Sequence, residues 1–190
     1  VERYERADLG MIYWGIGAYM GQVISQNAMG DLIAEVTDKG ASYDNAVNDR
    51  GYMSKDKLNP HVDTSDMTAL LCLRTAGKGG VSSLTSSAAV YNEILSRRPD
   101  LLEVYYRGFH HDLRGEGPTG SFDEVTHNRI PVFSHHEGLL SCCYNDKIMR
   151  SAHDKIGQPL TDVEREAIDL LLEVAESPEL RCDFELEVGD

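Results

Sequence analysis

Two places in this 190-residue chain set a histidine and an aspartate two positions apart: His61-Val62-Asp63 and His110-His111-Asp112. In an extended backbone, residues i and i+2 project to the same face. Each pair could therefore offer an imidazole and a carboxylate to one divalent first-row metal ion. With a second histidine from elsewhere, such a pair makes the facial site of non-haem Fe(II) oxygenases and leaves coordination positions open for reactants. Zinc or another divalent ion used for hydrolysis fits the same donors. The spacing itself discriminates little. With seven histidines and seventeen aspartates in the chain, roughly one such match is expected by chance. A solvated loop or a satisfied core histidine explains either pair equally well.

The elements around the pairs separate them. His61-x-Asp63 lies at the end of a polar stretch, residues 37–59, that reads as a surface loop, and just before an apolar run at 67–73 of strand length. Gly77-Lys78-Gly79-Gly80 then turns the chain, and residues 81–86 return as an antiparallel partner carrying hydroxyls at Ser82, Ser83, Thr85 and Ser86. Ser87 is expected to cap a helix with Val90, Tyr91, Ile94 and Leu95 on one side, ending before Pro99. Short strands are expected at 22–26 and 32–36 around an Asn27-Ala28-Met29-Gly30 turn, and another at 105–110. Residues 7–20 are apolar and aromatic, but Gly10, Gly15 and Gly17 weigh against a long helix there. Residues 113–128 read as a polar excursion. Residues 129–134 and 139–144 flank His135-His136-Glu137-Gly138 as a hairpin. Thr161-Asp162-Val163-Glu164 is a capping box opening a helix with Val163, Ala167, Leu170, Leu171 and Val174 as its apolar stripe. Residues 182–188 alternate like a strand. The resulting expectation is a single domain over 1–190, mainly β with inserted helices, built as a jelly roll.

Composition narrows the function classes. A net charge of −14 provides no basic surface for phosphates, so neither nucleic acid nor an anionic membrane is an expected partner. No apolar run is long enough to cross a bilayer and no charged-then-apolar leader is read. Cys72, Cys142, Cys143 and Cys182 show neither a CxxC pair nor the spacing of a disulfide framework, which points to reduced thiols and a cytoplasmic setting.

Taken together, several stretches resemble the taurine dioxygenase family. These are Tyr13-Trp14-Gly15-Ile16-Gly17, Ser25-Gln26-Asn27, His61-Val62-Asp63-Thr64-Ser65-Asp66, Leu71-Cys72-Leu73-Arg74 and Gly79-Gly80-Val81-Ser82-Ser83. The likeness continues through Asn92-Glu93-Ile94-Leu95, Arg98-Pro99-Asp100-Leu101-Leu102, Pro131-Val132-Phe133-Ser134 and Gly138-Leu139-Leu140-Ser141-Cys142. The resemblance implies a double-stranded β-helix and an Fe(II)- and 2-oxoglutarate-dependent dioxygenase. Such an enzyme uses O2 to oxidise a C–H bond of a small organic substrate and releases succinate and CO2. It also implies roles for individual residues. His61 and Asp63 match the iron-binding pair. Ser82, with Ser83 as the alternative, matches the hydroxyl that holds the distal carboxylate of 2-oxoglutarate. Gln26 and Asn27 lie where the substrate pocket begins.

The resemblance stops short at one end. The family's second iron histidine follows a Gly-Asp turn, and its 2-oxoglutarate-binding arginine comes later still, whereas this sequence ends on Gly189-Asp190. Both residues, and the last strands of the jelly roll, are expected beyond Asp190, leaving 182–188 as an exposed edge through which copies of the chain could associate. A non-catalytic jelly-roll module that binds or scaffolds without a complete metal site is the alternative reading.

Overall fold

The computed structural model of the protein describes residue 1, residues 3–40 and residues 51–190. The expected loop at 37–59 therefore falls partly outside the described residues. Contacts divide the chain into two compact units, one of Val1–Glu35, Ser65–Leu84 and Cys182–Asp190, the other of Val36–Thr64 and Thr85–Arg181.

In the first unit, helix α1 spans Arg6–Met20, where glycines had argued against one. Each glycine costs up to about 1 kcal/mol relative to alanine. No proline interrupts the stretch, however, and Asp8 sits in the first turn, where its charge complements the helix dipole. The rest of the unit is largely irregular. Strand β1, Val81–Thr85, pairs with strand β4, Arg181–Glu185, and Ser83 Oγ donates to Asp183 Oδ1 at 2.6 Å. The expected partner of β1, residues 67–73, forms no strand. Cys72 instead exchanges backbone hydrogen bonds with the chain end, its N–H donating to Asp190 O and Gly189 N–H donating to its carbonyl, both at 2.9 Å. The 182–188 segment thus has a partner along its first half. The strands expected at 22–26 and 32–36 are also absent, because Asn27 closes a local turn. Its Oδ1 accepts from the N–H groups of Met29 and Asp31, and its Nδ2 donates to Asp31 Oδ2, a side-chain alternative to ladder pairing.

The second unit holds the core. Helix α2, Ser87–Arg97, is capped by Ser86, one residue earlier than expected, and buries Val90 and Ile94. A 3-10 turn at Pro99–Leu101 leads into helix α3, Leu102–Arg107, where a strand was expected. Pro99 at the start of the turn, with Asp100 and Glu103 in the two first turns, favours helix over extension. Gly108 ends α3 at φ +72°, and a Cβ there would lie 2.0 Å from the Ile130 carbonyl oxygen. Strands β2, Phe133–His136, and β3, Leu139–Cys142, form the expected hairpin, with Phe133 opposite Cys142 and His136 opposite Leu139. Its turn is only Glu137-Gly138, both at positive φ, as a two-residue connection requires.

Helix α4, Asp146–Lys155, was not anticipated. Asn145 caps it, accepting from Ile148 N–H, and Ile148, Met149 and Ala152 turn inward. Helix α5, Asp162–Ala175, opens with the expected capping box and buries Ala167, Leu170, Leu171 and Val174, while Val163 stays exposed. Tyr105, Phe109, Phe133, Tyr144 and Met149 fill the space between these helices and the hairpin. The expectation of a mainly β chain is therefore corrected. Among the described residues helices predominate, the strands form two two-stranded sheets, and no barrel closes. The apolar runs at 102–105 and 148–152 bury one face at helical spacing, which short windows of apolar residues do not distinguish from strands.

Candidate metal centre

The segment carrying His61 and Asp63 is irregular but tied down. His61 forms an isolated antiparallel bridge with Asn145, and Val62 N–H donates to Tyr144 O at 2.7 Å. Asn59 Nδ2 donates to Asp146 Oδ2 at 3.0 Å. Tyr144 is buried, and its hydroxyl donates to the Ile168 carbonyl on α5 at 3.0 Å. Burial pushes that hydroxyl's pKa up and keeps it in its donating form. The pair is thus held to the core through the start of α4 and the middle of α5.

The two side chains emerge on one side, as the i, i+2 spacing requires. His61 Nδ1 lies 2.8 Å from the Asn59 carbonyl oxygen. A carbonyl can only accept, so Nδ1 carries the hydrogen, and in the neutral ring Nε2 keeps its lone pair. That is the tautomer a metal-binding histidine adopts when a backbone carbonyl orients it. Nε2 stands 3.6 Å from Asp63 Oδ1, and the side chains are 32% and 52% exposed. Two donors on one cation, with bonds of about 2.1 Å, stand about 3.0–3.4 Å apart at octahedral or tetrahedral angles. A small rotamer adjustment closes the difference, so the pair fits a shared divalent ion. Among the described residues, no group of three or more histidine, cysteine or acidic side chains gathers around a common point.

The second His-x-Asp pair is built differently. Asp112 is buried, and its carboxylate accepts from Lys155 Nζ at 2.8 Å, Ser151 Oγ at 2.6 Å and Arg114 N–H at 2.9 Å. His110 Nδ1 bonds the Thr126 carbonyl. Desolvation, with a smaller contribution from His110, lowers the buried His111 to about 4. These contacts make the pair part of the scaffold that joins α4 to the 109–126 loop.

The remaining candidates belong to the first unit. Ser82 is half-buried on β1, and Ser83 is exposed with its hydroxyl committed to Asp183. Gln26 Nε2 donates to the Ile24 carbonyl, while Asn27 is engaged by its own turn. Sequence reasoning missed the supports Tyr144, Asn145 and Asp146. The available signal was Asn145 followed by apolar residues at helical spacing, an N-cap signature.

Comparison with known proteins gives the family. Residues 5–190 match the family described as Taurine catabolism dioxygenase TauD, TfdA family. FR-33289 synthase of Streptomyces rubellomurinus is 36% identical over 179 residues, covering 92% of this chain and 51% of that protein. The taurine hydroxylase-like protein SAT17 of Stachybotrys chartarum is 28% identical over 200 residues, covering 99% of this chain and 49% of that protein. The chain thus spans about half the length of the curated relatives it matches. A match over nearly every residue, including the anchored His61-x-Asp63, establishes that this chain belongs to the TauD/TfdA family of dioxygenases.

Proposed function

We propose that the chain contributes the His-x-Asp part of an Fe(II)- and 2-oxoglutarate-dependent dioxygenase, one that oxidises a C–H bond of a small organic substrate with O2 and releases succinate and CO2. Family membership supports the reaction class. The observation that carries the site assignment is the placement of His61, its Nδ1 held on the Asn59 carbonyl oxygen and its Nε2 3.6 Å from Asp63 Oδ1. The names of the two relatives, a synthase and a taurine hydroxylase-like protein, suit a small-molecule substrate. On this reading residues 1–190 are part of one catalytic domain.

His61 and Asp63 would hold the iron, which when bound supplies O2 activation coupled to decarboxylation of 2-oxoglutarate. The Asn59 carbonyl keeps the imidazole from rotating, and the Val62–Tyr144 bond keeps the segment against the core. One negative carboxylate beside a neutral imidazole leaves an Fe(II) site with residual positive charge, suited to an anionic cosubstrate. Ser82 would donate to the distal carboxylate of 2-oxoglutarate, and Ser83 is the less available hydroxyl because it already donates to Asp183 Oδ1. Gln26 and Asn27 would border the substrate, Gln26 with the freer side chain. The test is succinate release from 2-oxoglutarate under air, by the protein together with whatever sequence its gene adds on either side. Turnover that requires Fe(II), 2-oxoglutarate and O2 supports the proposal. A metal-dependent hydrolysis that ignores both 2-oxoglutarate and O2 contradicts it.

A further inference from the structure

His61 takes its ring orientation from the Asn59 carbonyl oxygen, 2.8 Å from Nδ1. That carbonyl needs a support of its own, because residues 57–60 belong to no helix or strand. Pro60 removes one freedom by fixing its own φ and confining Asn59 to extended conformations. It brings no N–H with which the segment could be tied down. Upstream of the ring the tie is the Asn59 side chain, whose Nδ2 donates to Asp146 Oδ2 at 3.0 Å. A carboxylate can only accept, so this bond also fixes which way the Asn59 amide is turned.

The placement of Asp146 is not explained by its helix. It is the first residue of α4, directly after the Asn145 cap, and it is only 7% exposed. Its second oxygen, Oδ1, is buried with no hydrogen-bond partner among the described residues. An acid in a first turn complements the helix dipole from a solvated position just as well, whereas a buried carboxylate oxygen left unmet is destabilising. What burial gains for Asp146 is the bond to Asn59. The Asn145 backbone bridges His61, so the turn of α4 that places this carboxylate also lies against the segment that carries the imidazole.

We propose that Asp146 is a positioning residue for the metal centre, holding through Asn59 the carbonyl that takes the Nδ1 hydrogen of His61 and so keeping Nε2 unprotonated beside Asp63 in the neutral ring. The inference rests on His61 as an iron ligand, but its first readout needs no metal. Nitrogen NMR of the imidazoles is recorded on the protein with the sequence its gene adds on either side, at about pH 8, where an ordinary histidine is neutral. It reports which ring nitrogen of His61 carries the hydrogen, with His61→Ala identifying the signals. Wild type should hold the Nδ1–H form. Asp146→Ala and Asn59→Ala should release the ring to a mixture of forms and weaken Fe(II) binding by about ten- to hundredfold, the usual effect of loosening a ligand's support. The double variant should lose no more than the worse single, because both act on one chain of contacts. Asp146→Asn, which loses the charge at the helix start but keeps an acceptor oxygen, should restore both readouts. Should Asp146→Ala fail to fold, Asn59→Ala, at a half-buried loop position, carries the same test. Failure of the iron reading shows separately, as a wild type that binds no iron while the variants still shift the ring. An Nδ1–H form unchanged in folded Asp146→Ala or Asn59→Ala, additive losses in the double variant, or an Asp146→Asn as impaired as Asp146→Ala would each overturn the inference.

Discussion

Replacing Glu164 with glutamine should cost the second unit about 3 kcal/mol at neutral pH, and the cost should vanish in acid. The side chain is 4% exposed. Burial alone raises its pKa. The Thr161 N–H, the Arg129 guanidinium and the Thr161 hydroxyl outweigh burial and hold the carboxyl at about 2, against an ordinary 4.5. A carboxyl moved from 4.5 to about 2 on folding contributes about 3 kcal/mol. Because the folded value is the lower one, that contribution is fully present above about pH 4.5 and is lost as pH falls towards about 2. Urea unfolding of the wild type and Glu164→Gln, followed by circular dichroism across that range, measures the difference directly. Other carboxylates titrate in both proteins and largely cancel. The gap should be about 3 kcal/mol at pH 7 and close as Glu164 takes up its proton. A gap that is small at neutral pH, or stays constant down to about pH 2, would refute the assignment of Glu164 as a charged clasp between Thr161 and Arg129. The consequence reaches the candidate site, since α5 also carries the Ile168 carbonyl that holds Tyr144, and Tyr144 holds Val62.

Tyr144→Phe removes the hydroxyl's bond to the Ile168 carbonyl, which keeps its helical partner, and should lower stability by about 0.5–1.5 kcal/mol in urea titrations; an unchanged midpoint would remove Tyr144 from the support of the His61 segment. Gly108→Ala sets a Cβ against the Ile130 carbonyl at positive φ and should prevent folding or lower the melting temperature sharply, so a wild-type melt would mean the α3 end is not built as described. Ser82→Ala should raise the apparent constant for 2-oxoglutarate roughly ten- to hundredfold, the effect of one hydrogen bond to a charged group. A normal constant, with Ser83→Ala showing the rise instead, would move that role by one residue.

The features legible in the sequence were those written within a few residues. The Thr161–Glu164 capping box, the Glu137-Gly138 hairpin and the helix after Ser86 each carry their signal locally, and each stands where expected within a residue or two. What was misread depends on distant partners. β1 pairs with β4, a hundred residues along the chain as the Ser83–Asp183 bond shows, and no local pattern announces that choice over the nearer 67–73 run. Residues 102–107 hold Leu102, Val104 and Tyr105, which suit a strand as well as a helix until Pro99 and Gly108 are taken as its limits. The two His-x-Asp pairs are alike in sequence. They part in space because Lys155 and Ser151, some forty residues away, close over Asp112, while Asp63 stays half exposed beside His61 Nε2. The resemblance points to His61 and Asp63 through their neighbours, a signal carried by whole stretches of chain and not by the motif.

The central claim is that His61 and Asp63 hold the metal, and iron content after anaerobic loading tests it most directly. With the sequence its gene adds on either side, the protein as wild type, His61→Ala, Asp63→Ala and His110→Ala should be loaded with Fe(II) side by side, its folding checked by circular dichroism. His61 and Asp63 are on an anchored but partly exposed segment, so all four proteins should stay folded. His61→Ala and Asp63→Ala should lose bound iron, and His110→Ala, whose ring is engaged by the Thr126 carbonyl, should keep it. Iron retained by Asp63→Ala, or lost from a folded His110→Ala, would contradict the account.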